Sequence, residues 1–243
     1  MINADWDSIW RGKGIRKYLP QRFTYGYLAS WECDLFLIIL KFLPERGKVL
    51  SDGCGRGLID YWLARVWGAE VHLLDSSKYC LQKVHRSFGS TNHYTYCHDA
   101  LKLPFHSDTF DIVWNEGVWE HFTEEEIYRG VREMGRVCKR NGYIVVDVPY
   151  SKCKPYILAK KWLEDNNYWI YGYEEAKSTM KPYFLKAGLE VIDEYPIGSE
   201  QTCRNYINMI PDNSARNVLL KNLSEEDFNV YPHLVTIGRP LLK

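Results

Sequence analysis

Residues 49–57 read Val-Leu-Ser-Asp-Gly-Cys-Gly-Arg-Gly, so a short apolar step leads into glycines at alternate positions. An amphipathic run begins at Leu58. This order is typical of a buried strand, a tight turn and the start of a helix, because glycine tolerates positive φ and lets a ligand approach the backbone. The free N–H groups of the first helical turn could then bind an anionic or polar group. On this stretch alone, a plain strand-to-helix turn is the alternative.

The next predicted strand, 70–74, ends at Asp75. An acidic residue that closes the second strand of a βαβ unit, about 20 residues after the glycines, is placed to accept hydrogen bonds from a ribose diol. Asp75 could instead cap the following helix, as could Ser76 or Ser77. A dinucleotide fingerprint requires a third glycine where this chain has Leu58 or Asp60, depending on the starting glycine. A nicotinamide or flavin dinucleotide is therefore disfavoured.

Strands and helices are predicted to alternate along most of the chain. Helices are expected at 26–43, 57–67, 77–87, 123–139, within 151–171 and at 173–187. Strands are expected at 48–52, 70–74, 93–97, 110–115, 143–148, 189–195 and 234–237. This alternation predicts an α/β fold with a doubly wound, mostly parallel seven-stranded sheet covered by helices on both faces. Ligands of such sheets bind outside the carboxyl ends of the strands, where Gly53, Asp75, Asp99, Asn115 and Pro149 fall.

The domain organisation follows from these elements. We expect one domain over 1–243, with a cofactor-binding core at 45–150 and an N-terminal arm or lid at 1–24. Segments 151–172 and 198–230 are expected to be insertions that shape the substrate site. The second insertion is polar and is broken by Pro211 and Asn213.

Composition restricts the class of protein. Lys plus Arg and Asp plus Glu number 31 each, so no global field attracts polyanions, and nucleic acid is not the expected partner. The seven cysteines form no C-x-x-C pair, which indicates neither a disulfide framework nor a zinc site and suits a reducing compartment. The apolar run 35–40 is too short to span a bilayer. We expect a cytoplasmic protein with no metal and no membrane association.

Four segments together resemble a known family. They are VLSDGCGRG (49–57), VHLLDSS (71–77), HDALKLPFHSDTFDIVW (98–114) and NGYIVVDVP (141–149). The chain is similar in these segments to the class I S-adenosylmethionine-dependent methyltransferases, specifically the type 11 group, which acts mostly on small molecules. The resemblance implies the Rossmann-like methyltransferase fold, S-adenosylmethionine as the cofactor, and a transferase activity.

The resemblance also implies a set of binding residues. The loop 53–57 would hold the methionine moiety, Asp75 the ribose hydroxyls and Asp99 the adenine amino group. One departure is Ser51, where the family usually has an acidic residue, and Asp52 need not replace it because adjacent strand residues point to opposite faces. The full set of expected cofactor-binding residues is Gly53, Cys54, Gly55, Gly57, Asp75, Ser76, Asp99, Ala100 and Asn115.

Methyl transfer from a sulfonium needs alignment of the nucleophile and exclusion of water. A general base is needed only when the acceptor carries a proton that must leave. The candidate catalytic residues are Glu116, His121 and Tyr150. His121 could titrate near neutral pH, or it could be structural, and Tyr150 could orient an acceptor or form a buried wall. Asn115-Glu116-Gly117-Val118 replaces the Asn/Asp-Pro-Pro-aromatic signature of adenine and glutamine N-methylation, which disfavours those reactions.

Several alternatives stay open at the level of sequence. The arm carries aromatic residues with Arg11, Lys13, Arg16, Lys17 and Arg22, so it could be a lid that meets an anionic acceptor or a solvated arm that packs on the domain. The aromatic insertions suit an amine acceptor through cation–π contacts, or an uncharged aromatic or lipid-like one. Two other functions are a non-catalytic adenosyl-binding module and an RNA methyltransferase that uses the basic arm.

Overall fold

The computed structural model describes residues 5–11 and 28–241. Its centre is a seven-stranded sheet of order β3-β2-β1-β4-β5-β7-β6. The strands are β1 Lys48–Asp52, β2 Glu70–Asp75, β3 His93–Cys97, β4 Phe110–Glu116, β5 Cys138–Pro149, β6 Leu189–Ile197 and β7 His233–Pro240. The first five strands pair parallel with one another, and β7 runs antiparallel to both β5 and β6. The expected doubly wound α/β fold is therefore confirmed.

Helices cover both faces of this sheet. They are α1 Trp6–Trp10, α2 Ser30–Phe42, α3 Leu58–Val66, α4 Lys78–Phe88, α5 Glu124–Val137, α6 Lys154–Asp165, α7 Lys181–Lys186, α8 Glu200–Asn208 and α9 Asn213–Lys221. Short 3-10 helices span Trp119–His121 and Glu225–Asn229. Among the residues the structure describes, no helix is both long and apolar enough to cross a bilayer.

Adjacent residues of the central strands pack in two separate hydrophobic cores. Val49 packs in the core beneath α2, α3 and α4, whereas Leu50 packs in the core beneath α5 and α7. Ile112 and Val113 of β4 divide between the two cores in the same way. Strand side chains alternate between faces, so a strand buried on both sides must be apolar at consecutive positions. This requirement explains the near-continuous apolar runs that the sequence shows.

The boundary between α5 and β5 differs from the prediction. The predicted helix start is confirmed, since Thr123 caps α5 in a capping box with Glu126. The helix ends at Val137, however, and β5 begins at Cys138 rather than at 143. The pairing of β4 with β5 shifts register between Phe110 and Ile112, so the extra β5 residues bulge. A Cβ on Gly142 would lie 2.6 Å from the Asp111 carbonyl oxygen, so this glycine serves the close approach of two strands and not a helix end.

The predicted helix at 173–187 is wrong over its first half. Only Lys181–Lys186 is helical, because the preceding backbone groups bond to distant segments. The N–H of Glu175 donates to the Glu120 carbonyl at 2.8 Å, and the N–H of Lys177 donates to the Pro149 carbonyl at 2.9 Å. These bonds hold residues 174–177 against the end of β5, which is where the candidate site lies.

The second insertion is more regular than expected. Helices α8 and α9 and the 3-10 helix Glu225–Asn229 occupy most of 198–230, and Pro211 falls in the break between α8 and α9. Ile207 and Ile210 pack with Ala159 and Leu163 of α6 in a small core of their own. The two insertions thus support each other beside the sheet.

Gly130 of α5 is a sensitive point of the fold. An added Cβ would lie 2.0 Å from the Trp119 ring, which is fully buried. We expect Gly130→Ala to lower the free energy of unfolding by about 1–3 kcal/mol through overpacking. The gain in helix propensity, about 1 kcal/mol, works against this loss. Urea unfolding measures the change.

Arg129→Ala is the matched control, because Arg129 is the exposed neighbour on the same helix and arginine and alanine have similar helix propensities. An unfolding midpoint for Gly130→Ala equal to or above that of the original protein would contradict the packing described for Trp119.

Candidate functional site

A cavity of about 700 Å³ opens at the carboxyl ends of the parallel strands. Small-molecule sites typically measure about 300–1,000 Å³, so this one can hold a cofactor and leave space for a second ligand. Ten of the expected site residues line it: Gly53, Cys54, Gly55, Gly57, Asp75, Ser76, Asp99, Ala100, Glu116 and His121. The side chains of Asn115 and Tyr150 are not among its walls.

The glycine loop forms one end of the cavity. Gly53, Gly55 and Gly57 adopt φ values of +77°, +50° and +61°, a region that other residues rarely adopt. A Cβ on Gly53 would lie 2.5 Å from Val118 Cγ2. The N–H groups of Gly53 and Cys54 both donate to the Leu74 carbonyl at 2.8 Å, so the loop is tied to the end of β2.

Asp75 is the polar anchor of this loop. Its Oδ2 accepts from the Gly55 N–H at 3.0 Å, and its Oδ1 accepts from the Ser77 N–H at 2.8 Å. Burial raises the pKa of Asp75, while these two N–H groups act in the opposite direction. The side-chain cap of α4 is Ser77, whose hydroxyl accepts from the Cys80 N–H. Each carboxylate oxygen keeps a lone pair that could accept a ribose hydroxyl, so that role for Asp75 stays a prediction.

The structure places a carboxyl behind Ser51, where the family's usual acid is missing. Ser51 lines the cavity, and Asp60 lies on α3. Asp60 is fully buried and accepts from Trp114 Nε1 at 3.0 Å. Burial raises the pKa of Asp60 to about 7. Asp52 does not line the cavity, and its buried carboxyl has no hydrogen-bond partner among the described residues.

The opposite end of the cavity is rich in carboxyls. Glu116 Oε1 accepts from Trp31 Nε1 at 2.8 Å. Burial, followed by the charges of Glu32 and Asp147, raises the pKa of Glu116 to about 7. Glu120 is buried in the 3-10 helix after β4, and Glu174 accepts from the Tyr156 hydroxyl. Burial raises the pKa of both groups, to about 8 for Glu174.

His121 is held as a neutral ring. Its Nδ1 donates to the Tyr173 carbonyl at 2.8 Å, and its Nε2 lies 3.8 Å from Glu120 Oε1. Burial lowers the pKa of His121 to about 4, so the ring does not titrate near neutral pH as the sequence suggested it could. The Trp6 ring packs edge-on against it with centroids 5.0 Å apart. Its proposed role as a base stays untested.

A hydrogen-bonded chain behind the carboxyls was not predicted. His233 Nδ1 lies 2.9 Å from Asp147 Oδ2, and its Nε2 lies 3.0 Å from the Tyr206 hydroxyl. The Trp31 ring stacks on His233 at 5.2 Å. A single acidic residue within the apolar strand Val145–Pro149 was the one signal that could have pointed to Asp147. Tyr156 and Tyr206 lie in the segments expected to be insertions, and Glu174 lies between those segments; none of the three carries a comparable signal.

Two predicted residues lie beside the cavity. Asn115 is buried, and its Nδ2 contacts Met134 Sδ at 3.8 Å on the α5 side. Tyr150 follows β5, where its N–H donates to the Pro232 carbonyl. The direct roles expected of these two side chains stay predictions, with no contact in the cavity to support them.

Helix α1 covers part of the cavity. Asp7 accepts from the Ser77 hydroxyl at 2.5 Å and from the Tyr79 N–H at 3.3 Å. The Trp10 ring packs close to the glycine loop, since a Cβ added to Gly55 would lie 3.0 Å from it. Residues 12–24 of the expected arm lie outside the described residues.

One group of potential metal ligands occurs in the described part of the chain. Glu120, His121 and Glu174 each offer an atom within 4.8 Å of the others. The expectation of no metal site rested on cysteine spacing. Cysteine spacing carries no information about Glu174, which reaches this group from a segment far along the chain.

Comparisons with known proteins agree with this geometry. Residues 50–146 match the family described as "Methyltransferase domain". Methyltransferase GfsG of Streptomyces halstedii is 33% identical over 103 residues, which cover 41% of this chain and 36% of that protein. Ubiquinone biosynthesis O-methyltransferase of Rhizobium etli is 26% identical over 197 residues, which cover 77% of this chain and 78% of that protein.

A solved structure matches nearly the whole chain. The complex of the Haloferax volcanii Trm112 methyltransferase activator with a methyltransferase superposes with a TM-score of 0.68 and 18% identity, over 99% of this chain and 100% of that one. This likeness shows the fold. The alignments to three curated relatives span 41%, 36% and 51% of those proteins' lengths.

The cofactor half of the cavity fits the group that the family uses. The glycine loop, whose Gly53, Gly55 and Gly57 all adopt positive φ, lines the same cavity as Asp75 and Asp99. The expected family is confirmed by the match over residues 50–146. The match over residues 50–146, together with the relatives and the fold, supports a class I S-adenosylmethionine-dependent methyltransferase of the type 11 group.

Proposed function

We propose that this protein transfers a methyl group from S-adenosylmethionine to a small-molecule acceptor. The observation that carries the proposal is that the glycine loop, Asp75 and Asp99 share one 700 Å³ cavity with a separate group of carboxyl and aromatic side chains. The first set fits an adenosyl cofactor, and the second leaves a chamber in which an acceptor can be held.

The cofactor supplies a methyl group that is already electrophilic because it is attached to a sulfonium sulfur. The residues of this chain would bind and align the reactants. Asp75 would hold the ribose hydroxyls, and Asp99, which accepts from the Leu101 N–H at 2.9 Å, would face the adenine. Glu116 is the last residue of β4 and lines the cavity, where its carboxylate could take a proton from the acceptor.

Helix α1 would exclude water from the reaction. Trp10 lies beside the glycine loop, and Trp6 lies beside His121 and Tyr171, so the same short helix touches both halves of the cavity. A cover in this position supports the hypothesis that residues 1–24 form a lid, because closure over reactants shields charged groups from solvent.

An RNA acceptor is the second candidate, favoured by the likeness to a methyltransferase solved with the Trm112 activator. The acidic lining of the chamber supports a small molecule instead, since RNA-binding surfaces use basic residues to contact phosphates. Steep salt dependence of binding to RNA would support the second candidate.

Calorimetry with S-adenosylmethionine and S-adenosylhomocysteine tests the cofactor site. We expect one site per chain, and we expect Asp75→Asn to weaken binding by about 1.5–3 kcal/mol, or about 10- to 100-fold. Asp165→Asn is the matched control, because Asp165 is an exposed carboxyl paired with Lys161 on α6. Equal affinity for the Asp75 variant and the control would mean that the ribose lies elsewhere.

Trp6→Ala tests the lid. We expect nearly unchanged affinity for S-adenosylhomocysteine but a loss of methyl transfer of about 10- to 100-fold, because a poorly covered chamber misplaces the acceptor. Transfer of labelled methyl groups to acceptors in a cell extract provides the assay. Trp67→Ala is the control, since Trp67 lies at the surface after α3. Equal rates of methyl transfer in the two variants would mean that α1 packs on the domain but does not act as a lid.

Glu116 predicts a pH dependence. Because its pKa is raised to about 7, the carboxyl is protonated below that pH and becomes a competent base above it. Methyl transfer should therefore rise as pH increases through about 7, and Glu116→Gln should remove this rise. The groups that face Glu116 are Glu32, Asp147, His233 and Trp31.

The folded protein holds the Glu116 proton more tightly than the unfolded chain does. The free energy of unfolding should therefore fall as pH rises from the ordinary glutamate pKa to about 7. NMR titration of labelled glutamate carboxyls in the protein and in Glu116→Gln checks the pKa without a substrate. A Glu116 signal that titrates near the ordinary glutamate value would contradict the prediction.

A further inference from the structure

The acidic chamber is the part of the cavity that is lined by Glu116, Glu120 and Glu174. None of these three carboxyls forms an ion pair with a Lys or Arg in the described part of the chain. One nearby acid does have such a partner, since Glu32 lies 3.4 Å from Arg56. Two histidines lie close to acids here: His121 Nε2 is 3.8 Å from Glu120 Oε1, and His233 Nδ1 is 2.9 Å from Asp147 Oδ2. No Lys or Arg in the described part of the chain therefore balances the three carboxyls of the acidic chamber in their ionised forms.

One of these carboxyls has an oxygen with no partner. Glu120 is 2% exposed and lines the cavity, and its Oε2 has no hydrogen-bond partner among residues 5–11 and 28–241. Burying a polar oxygen without a donor is unfavourable by several kcal/mol on transfer scales, so such an atom in a ligand cavity indicates a missing donor. Glu174 faces the same space and accepts from Tyr156.

Aromatic rings form much of the remaining wall. Trp31 bonds to Glu116 through its Nε1, and Tyr156 bonds to Glu174 through its hydroxyl, so rings and carboxyls are combined in pairs. The face of an aromatic ring attracts a cation, and the attraction increases when the cation is removed from water. The rings that line the cavity include those of Trp6, Trp31, Tyr156, Trp169, Tyr171 and Tyr206.

We propose that the acidic chamber binds the methyl acceptor as a cation, and that this acceptor is a small amine. This inference rests on the proposed function and names the substrate class for the same site. The cofactor carries one sulfonium charge, which is too little to balance three carboxyls. An ammonium group supplies both the missing positive charge and the missing hydrogen-bond donors.

The chemistry of an amine acceptor uses the same residues. The bound ammonium passes one proton to the Glu116 carboxylate and becomes a free amine. The nitrogen lone pair then forms the bond to the methyl carbon, and the electron pair of the broken carbon–sulfur bond stays on sulfur. The product is a methylated ammonium beside a neutral thioether.

This reaction moves positive charge from sulfur to nitrogen. Carboxylates that surround the nitrogen stabilise the charge as it develops, which lowers the barrier as well as binding the substrate. An anionic acceptor would instead bring like charges together in a partly buried site. The basic residues Lys13, Arg16, Lys17 and Arg22, which suggested an anionic acceptor, lie outside the described residues.

Calorimetry on the protein saturated with S-adenosylhomocysteine tests the proposal. The probes are sets of matched compounds: alkyl and phenylalkyl primary amines of increasing length, the alcohols of equal size, and the corresponding carboxylates. We expect at least one amine to bind about 10- to 100-fold more tightly than its alcohol and carboxylate counterparts. A panel in which no amine exceeds its counterparts, or in which the carboxylates bind best, would overturn the proposal.

Isosteric variants locate the binding. Glu120→Gln and Glu174→Gln should each keep affinity for S-adenosylhomocysteine and lose about tenfold or more of the preference for the amine. Glu225→Gln should change neither, because Glu225 is exposed and pairs with Arg204 outside the cavity. Equal preference in all three variants would overturn the assignment.

The same experiments separate this inference from the proposed function. If the unaltered protein fails to bind S-adenosylhomocysteine, both are wrong. If it binds S-adenosylhomocysteine but shows no preference for amines, only the substrate class is wrong.

A metal site is the competing use of these residues. The chelator-treated protein is titrated with Mg²⁺, Mn²⁺ and Zn²⁺ to compare the two. Two results together would overturn the amine proposal in favour of an anion bound through a metal. The metal would bind stoichiometrically to the unaltered protein but not to Glu174→Gln, and the carboxylate probes would bind only when the metal is present. Absence of metal binding together with the amine preference supports the proposal.

Discussion

The Leu74 carbonyl accepts two hydrogen bonds from the glycine loop, and the position of the whole candidate site depends on this link. It joins the end of β1 to the end of β2, so that Asp75 comes within hydrogen-bond distance of Gly55. The positive φ values of the loop allow the chain to turn in so short a distance. Without this link, Asp75 and the loop would not form one wall.

The second half of the site depends on a different balance, between burial and charge. Burial raises the pKa values of Glu116, Glu120 and Glu174, which shows that their ionised forms lack solvation. Such groups either keep their protons or obtain a cationic partner. Protein catalytic sites commonly hold groups in this condition, because a perturbed pKa allows a carboxyl to exchange protons near neutral pH.

The sequence predicted the residues that line the glycine-loop end of the cavity well and those that line the carboxyl-rich end poorly. Local patterns place Gly53, Asp75 and Asp99 at strand ends, and the geometry of parallel sheets then brings them together. Glu174 lies beside Glu120 because of a backbone hydrogen bond between segments that are far apart in the chain. No periodicity reports such a contact, and the helix predicted across 173–180 concealed it. His121 lines the site as expected, but its lowered pKa reflects a burial that the sequence did not reveal.

The two halves of the cavity come from different parts of the chain, and this division affects how the protein compares with others. The family match ends at residue 146, whereas Tyr156, Glu174 and Tyr206 all come later. The cofactor half can therefore be shared among relatives while the acceptor half varies independently. Under the proposed function, substitutions in α6, α8 and the segment before α7 would change which molecule is modified and leave the methyl donor the same. In a protein built in this way, ancestry would identify the donor, and the residues that follow β5 would identify the acceptor.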